Sequence, residues 1–170
     1  MTPNPLPDAE EALAELAERM RPAVDHDAAF VGIYSGGAWL AERLARELPG
    51  NHALGFIDVS FYRDDYAMTG LKGGTKRSDL PFDVDGSSIV LIDDVLFTGR
   101  SVRAAVNELF DFGRPARIEL AVLVDRGGRE LPIQADYVGA RVAAARELNI
   151  VLSQGEAGRL TLSVEPFKRA

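Results

Sequence analysis

Apolar positions along the chain change period several times, and those changes predict alternating helices and strands. Leu13, Leu16, Ala17 and Met20 recur at helical spacing after Pro7 and Asp8, with Glu11 three residues beyond Asp8. That is a capping-box start, and it predicts an amphipathic helix over residues 9–20. Residues 28–34 form a short apolar run ending in Ser35-Gly36-Gly37, a buried strand running into a glycine loop. Leu40, Leu44 and Leu48, with Ala41 and Ala45, mark a second helix that stops at Pro49-Gly50. Residues 54–62 predict a strand. Residues 63–81 lack any apolar period and hold three glycines, so they predict a long loop of the kind that is usually functional.

The second half repeats the alternation. Residues 88–92 form a continuous apolar strand after a turn at Asp85-Gly86, and residues 101–112 a helix with Gly113 as its C-cap and Pro115 beyond. Residues 118–124 are apolar but for Glu119 and predict another strand, and residues 136–139 predict the last strand of the sheet. The stretch 141–148 reads as helical. Residues 149–164 predict a hairpin around Gly155 and Gly158. Strands that are apolar on both faces and separated by helices predict an α/β fold with a mostly parallel central sheet, read here as one domain over 1–170. Met20 and Trp39 are expected in its core.

Composition narrows the function classes. Among 170 residues, 46% are hydrophobic and 26% charged, the balance of a folded globular chain. No apolar run approaches the roughly 18 residues of a membrane span, and the first residues have neither the basic nor the apolar region of a signal peptide. There is no Cys, which removes disulfides, thiolate zinc sites and Cys nucleophiles and fits a reducing cytoplasm. The only histidines are His26 and His52. The net charge of −7 argues against nucleic acid and anionic membranes as partners. Residues 1–30 carry seven acids against Arg19 and Arg21.

Candidate chemistry lies at a strand end, where parallel sheets bind ligands. Asp93 and Asp94 follow Ile89-Val90-Leu91-Ile92, and Val95-Leu96-Phe97-Thr98-Gly99-Arg100-Ser101 leads into the next helix. A glycine-containing loop at a helix N-terminus offers free N–H groups to a phosphate, and Thr98 and Ser101 add hydroxyls. Two adjacent carboxylates suit neutral sugar hydroxyls or a divalent metal. Together they describe a ribose 5-phosphate site. The blander reading is a strand-end Asp pair that caps the helix. No Walker A loop and no Gly-x-Gly-x-x-Gly fingerprint is present.

The run 89–101 resembles the phosphoribosyl pyrophosphate signature of type I phosphoribosyltransferases. Phe61-Tyr62-Arg63-Asp64-Asp65, the stretch 120–133 and Asp136-Tyr137-Val138-Gly139 narrow the resemblance to the PyrR family of bifunctional pyrimidine operon regulators and uracil phosphoribosyltransferases, over roughly residues 9–152. The resemblance implies the type I phosphoribosyltransferase fold with a long flexible flap. It implies transfer of phosphoribosyl to uracil, giving UMP and pyrophosphate, with Mg²⁺ carried by the donor. In some members it also implies UMP-dependent mRNA binding, so a UMP-sensing regulator with vestigial catalysis is the alternative. Homodimers or higher homo-oligomers are implied too. Salvage of another base such as hypoxanthine shares the signature but not the 120–139 match.

Carried over by residue, Asp93 and Asp94 hold the ribose hydroxyls and Val95 to Ser101 wrap the 5-phosphate. Ser35-Gly36-Gly37 forms the pyrophosphate loop, where the family often has a non-proline cis bond. Arg63, Lys72, Lys76 and Arg77 reach the donor from the flap. Arg126 faces the pocket as a catalytic cation, and Val138 and Gly139 offer backbone groups to the uracil edge. Two departures stand out. Ser35-Gly36-Gly37 replaces the usual Thr-Arg-Gly, and Ala140-Arg141 replaces the usual Lys-Asn.

Overall fold

The computed structural model describes residues 5–60 and 78–167. The first helix, α1 (Ala9–Met20), has the bounds its pattern predicts, and its cap is Asp8, whose Oδ1 accepts from the N–H groups of Glu10 and Glu11 at 2.9 and 3.1 Å. Strand β1 (Ala29–Ile33) is buried throughout and leads into α2 (Gly36–Glu47) and β2 (Leu54–Ile57). After residue 78 come β3 (Ser88–Leu96), α3 (Arg100–Phe112), β4 (Arg117–Asp125) and β5 (Tyr137–Arg141). A hairpin of β6 (Leu148–Gln154) and β7 (Leu160–Pro166) follows.

The sheet runs in the order β2-β1-β3-β4-β5, and every pairing in it is parallel. Both faces are covered, which is why the central strands are apolar on both sides. Phe30, Val90 and Ile92 face α1 and α2, packing with Leu13, Leu16, Met20, Leu40 and Leu44. Val31, Ile89 and Leu91 face α3, with Val102, Ala105 and Leu109. Each such side chain contributes roughly 1.5–3 kcal/mol by leaving water. The hairpin adds Ile150, Leu152 and Leu160 to the first of these layers. Its turn end is tied to α1, where Glu10 Oε1 accepts the Leu160 N–H at 3.0 Å.

Three expectations change. Strand β2 ends at Ile57, where its ladder on β1 ends with the pair Ile33–Ile57, and residues 58–60 are not strand. Strand β3 does not stop at Ile92. It carries Asp93 and Asp94 within its paired length, Asp93 opposite Val122 and Val95 opposite Val124. Residues 142–147 form no helix. The long loop of 63–81, with its flap, lies outside the described residues up to residue 77.

The chain reverses direction across the sheet between β1 and β3. After β2 flanks β1 on one side, β3 returns to flank it on the other. Beyond the carboxyl ends of these two strands is the switch point at which open α/β sheets bind ligands.

Candidate active site

A cleft of about 360 Å³ opens at that switch point. That is the size of a small-molecule site. Ser35, Gly36 and Trp39 line it from the β1–α2 junction. Asp93, Asp94, Val95, Phe97 and Ser101 line it from β3 and the loop into α3. Arg126 lines it from the end of β4, and residues 149–152 and 165–167 of the hairpin form the remaining wall.

The β1–α2 junction is built for close approach. The Tyr34–Ser35 peptide is cis, and Ser35 caps α2 without a side-chain hydrogen bond, with no acid in the first turn. Gly36 and Gly37 form that first turn rather than a free loop. A Cβ on Gly37 would lie 2.3 Å from the Ile92 carbonyl, and one on Gly36 would lie 2.4 Å from Asp94 Oδ2. Only glycines let the start of α2 settle against the acid-bearing part of β3. The positive end of α2 and its free N–H groups therefore sit beside the carboxylates.

The two acids are held by their own backbone. Asp93, 3% exposed, accepts the Asp94 N–H at 2.9 Å, and Asp94 Oδ1 accepts the Val95 N–H at 2.8 Å. Beyond them, Thr98 Oγ1 accepts from Arg100 N at 3.2 Å, and the Thr98 carbonyl accepts from the N–H groups of Glu130 and Leu131. Gly99 has φ +95°, a turn that suits glycine, and α3 starts at Arg100 with neither a side-chain cap nor an acid in its first turn. A helix that starts without a side-chain cap is the kind of backbone that receives an anion.

Behind the loop lies a network that the sequence did not reveal. Arg129 donates to the Phe97 and Ile133 carbonyls, both at 2.9 Å, and to Asp125 Oδ2 at 2.7 Å. Arg141 donates to the same Asp125 oxygen at 3.0 Å, and the Gly127 N–H donates to Oδ1 at 2.9 Å. Burial alone would push the Asp125 carboxyl up. Arg129, the Gly127 N–H and Arg141 outweigh it and hold the group below the usual carboxylate range.

Of the residues expected to bind the donor, Ser35, Gly36, Asp93, Asp94, Val95, Phe97, Ser101 and Arg126 meet at the cleft. Gly37 and Leu96 pack beneath it, and Thr98, Gly99 and Arg100 connect Phe97 to Ser101. The Arg100 side chain turns to Glu130 at 3.6 Å. Val138 and Gly139 are not among the lining residues. Val138 packs in the layer under α3, and a Cβ on Gly139 would meet the carbonyls of Ala12 and Leu123 at 2.6 Å. Arg63, Lys72, Lys76 and Arg77 lie outside the described residues. Arg126, expected to face the pocket, lines it, and its guanidinium donates to the carbonyls of Leu148 and Ala145. Met20 is in the core as expected; Trp39 is partly buried against the same core and also lines the cleft. The hairpin wall was missed because period-2 alternation shows that a strand has two faces but not which face meets a ligand.

A model of the phosphoribosyl transferase domain family matches residues 4–146. The bifunctional protein PyrR of Ralstonia nicotianae is 50% identical over 157 residues, covering 91% of this chain and 90% of that protein. The bifunctional protein PyrR of a Pseudomonas aeruginosa strain is 49% identical over 156 residues, covering 88% of each. Among solved structures, a hypoxanthine-guanine phosphoribosyltransferase of Bacillus anthracis superposes with a TM-score of 0.66 at 20% identity, covering 87% of this chain and 86% of the other. A hypoxanthine phosphoribosyl transferase of Trypanosoma cruzi gives 0.65 at 20% identity, covering 94% and 90%.

Proposed function

This chain belongs to the phosphoribosyl transferase domain family, in its PyrR branch, and on that premise we propose that it converts uracil and phosphoribosyl pyrophosphate to UMP and pyrophosphate. In the reaction the bond from the anomeric carbon to pyrophosphate breaks, a bond to uracil N1 forms, and the N1 proton is released. The observation that carries the reading is the paired carboxylates of β3, flanked by two uncapped helix N-termini. The turn 97–101 receives the 5-phosphate through its amides and the Ser101 hydroxyl. Asp93 and Asp94 accept hydrogen bonds from the ribose hydroxyls, which fixes the ring while positive charge develops on it. Backbone donors at Ser35-Gly36-Gly37 receive the leaving pyrophosphate. Gly36 has no side chain to supply a cation, so these donors and the flap residues carry that work.

Asp93 and Asp94 also suit a hard cation shared with the oxygens of the donor. Among the described residues no group of three or more His, Cys, Asp and Glu could hold a metal without it. Mg²⁺ bound there would offset charge on the departing pyrophosphate.

The regulator reading draws less support. Among the described residues, Arg141 pairs with Asp125, Arg146 lies 3.6 Å from Glu130, and Arg159 lies 3.9 Å from Asp8. An acidic neighbour beside each of these exposed arginines weakens any basic face they could offer RNA. The reading is tested by UMP formation with Mg²⁺, with excess chelator, and in Asp94→Asn. Loss of one charged hydrogen bond, about 1.5–3 kcal/mol, should lower Asp94→Asn turnover about 10- to 100-fold. Turnover equal to wild type in that variant, or unchanged by chelator, would overturn it.

A further inference from the structure

Arg126 is 5% exposed at the carboxyl end of β4 and lines the cleft. Its Nη1 donates to the Leu148 carbonyl at 2.6 Å and its Nη2 to the Ala145 carbonyl at 2.8 Å. The guanidinium carbon lies 3.9 Å from the centroid of the Phe97 ring. One side chain thus joins three pieces of the cleft: the end of β4, the ring of the 97–101 turn, and the entry to β6.

The ring is confined from a second direction. A Cβ on Gly128, whose φ is +78°, would come within 2.5 Å of Phe97 Cε1. The entry to β6 matters because Asn149 to Leu152, which follow Leu148 directly, line the cleft opposite Asp93 and Asp94. The far end of the hairpin is held by Glu10 through Leu160, and its near end by Arg126. A planar fork can serve two diverging carbonyls while stacking on a ring. A lysine ammonium keeps the charge but not that geometry.

We propose that Arg126 is a positioning residue that clamps the hairpin wall to the Phe97 turn and so sets the gap in which the accepting base lies against the anchored phosphoribosyl group. The proposal rests on the transferase reading for its ligand, but the clamp itself is a property of the fold. It differs from a direct contact of Arg126 with pyrophosphate, which charge alone would partly sustain.

The test compares wild type with Arg126→Lys and Phe97→Leu. Both variants should raise the KM for uracil by about tenfold, the loss of one charge-assisted contact, while the KM for phosphoribosyl pyrophosphate moves less than about threefold. Hydrogen exchange at residues 148–152 should quicken in Arg126→Lys, and the fluorescence of Trp39, the chain's one tryptophan, should report a more solvated cleft. A rise confined to the KM of the pyrophosphate donor would overturn the clamp in favour of direct anion binding. Unchanged exchange at 148–152 in Arg126→Lys would overturn it whatever the wild type turns over. A wild type without transferase activity but with faster exchange in the variant would keep the clamp and sink the transferase reading.

Discussion

Gly36→Ala puts the smallest possible side chain against the Asp94 carboxylate. The new Cβ would stand 2.4 Å from Asp94 Oδ2 and 2.9 Å from both Asp94 Cβ and Cγ. Rotating the carboxylate relieves the contact with Oδ2 and Cγ but not the one with Cβ. The Asp94 Cβ is fixed to a strand held in register on both sides of it, by Asp93 opposite Val122 and Val95 opposite Val124. The start of α2 must therefore retreat, or β3 must bend. Overpacking of this kind costs about 1–3 kcal/mol of stability, and in a chain of this length each kcal/mol lowers Tm by roughly 2–4 °C. Either movement also pulls Asp94 away from the ribose hydroxyl it is proposed to hold. Losing that bond, about 1.5–3 kcal/mol, corresponds to a fall in kcat/KM of about 10- to 100-fold. Gly36→Arg restores the residue usual in the family that the sequence resembles, yet it carries the same Cβ and should fall at least as far. The assay is initial-rate UMP formation with both substrates varied, beside thermal unfolding of each variant. A Gly36→Ala protein with kcat/KM within about twofold of wild type and an unchanged Tm would refute the coupling between Gly36 and Asp94.

The Asp125 network predicts an acid-sensitive contribution to stability. Its folded pKa lies below the ordinary value of 3.8, so the stability it supplies is present above that value and is lost as pH falls through the lowered one. Urea midpoints of wild type and Asp125→Asn should therefore differ most near neutral pH and converge in acid, and parallel curves would contradict the network. RNA should bind weakly, since the net charge is −7 and the arginines named above have acidic neighbours. Titration of labelled leader RNA from the organism's own pyrimidine genes, with and without UMP at near-physiological salt, checks this. Submicromolar, UMP-dependent binding that survives competitor RNA would make the regulator reading primary.

Local signals carried far in this chain, and the misses have physical causes. Helix α1 was legible to its ends because the Asp8 cap and the i, i+3, i+4 apolar positions agree. The sheet was legible because strands buried on two faces leave long apolar runs. Strand β3 was read too short because carboxylates look like a strand end, whereas ladder hydrogen bonds use only the backbone and continue through Asp93 and Asp94. Strand β2 was read too long because its pattern continues past the point where β1 supplies a partner. The alanine-rich stretch after Arg141 favours a helix by propensity, but Arg126 draws the carbonyls of Ala145 and Leu148 to itself. At the site, Asp93, Asp94 and the turn to Ser101 were visible because their spacing is local. The hairpin wall, the Asp125 network and the capture of Arg126 depend on contacts between residues far apart in sequence, which no period reports.

The cleft is proposed to transfer phosphoribosyl to uracil rather than to a purine, although the similar solved structures named above carry hypoxanthine in their names. The direct measurement is kcat/KM for uracil, hypoxanthine and guanine in turn, with saturating phosphoribosyl pyrophosphate and Mg²⁺. A site whose polar groups match one base discriminates strongly against others, so a preference for uracil of at least about 100-fold is expected. A purine used with equal or higher kcat/KM would contradict it.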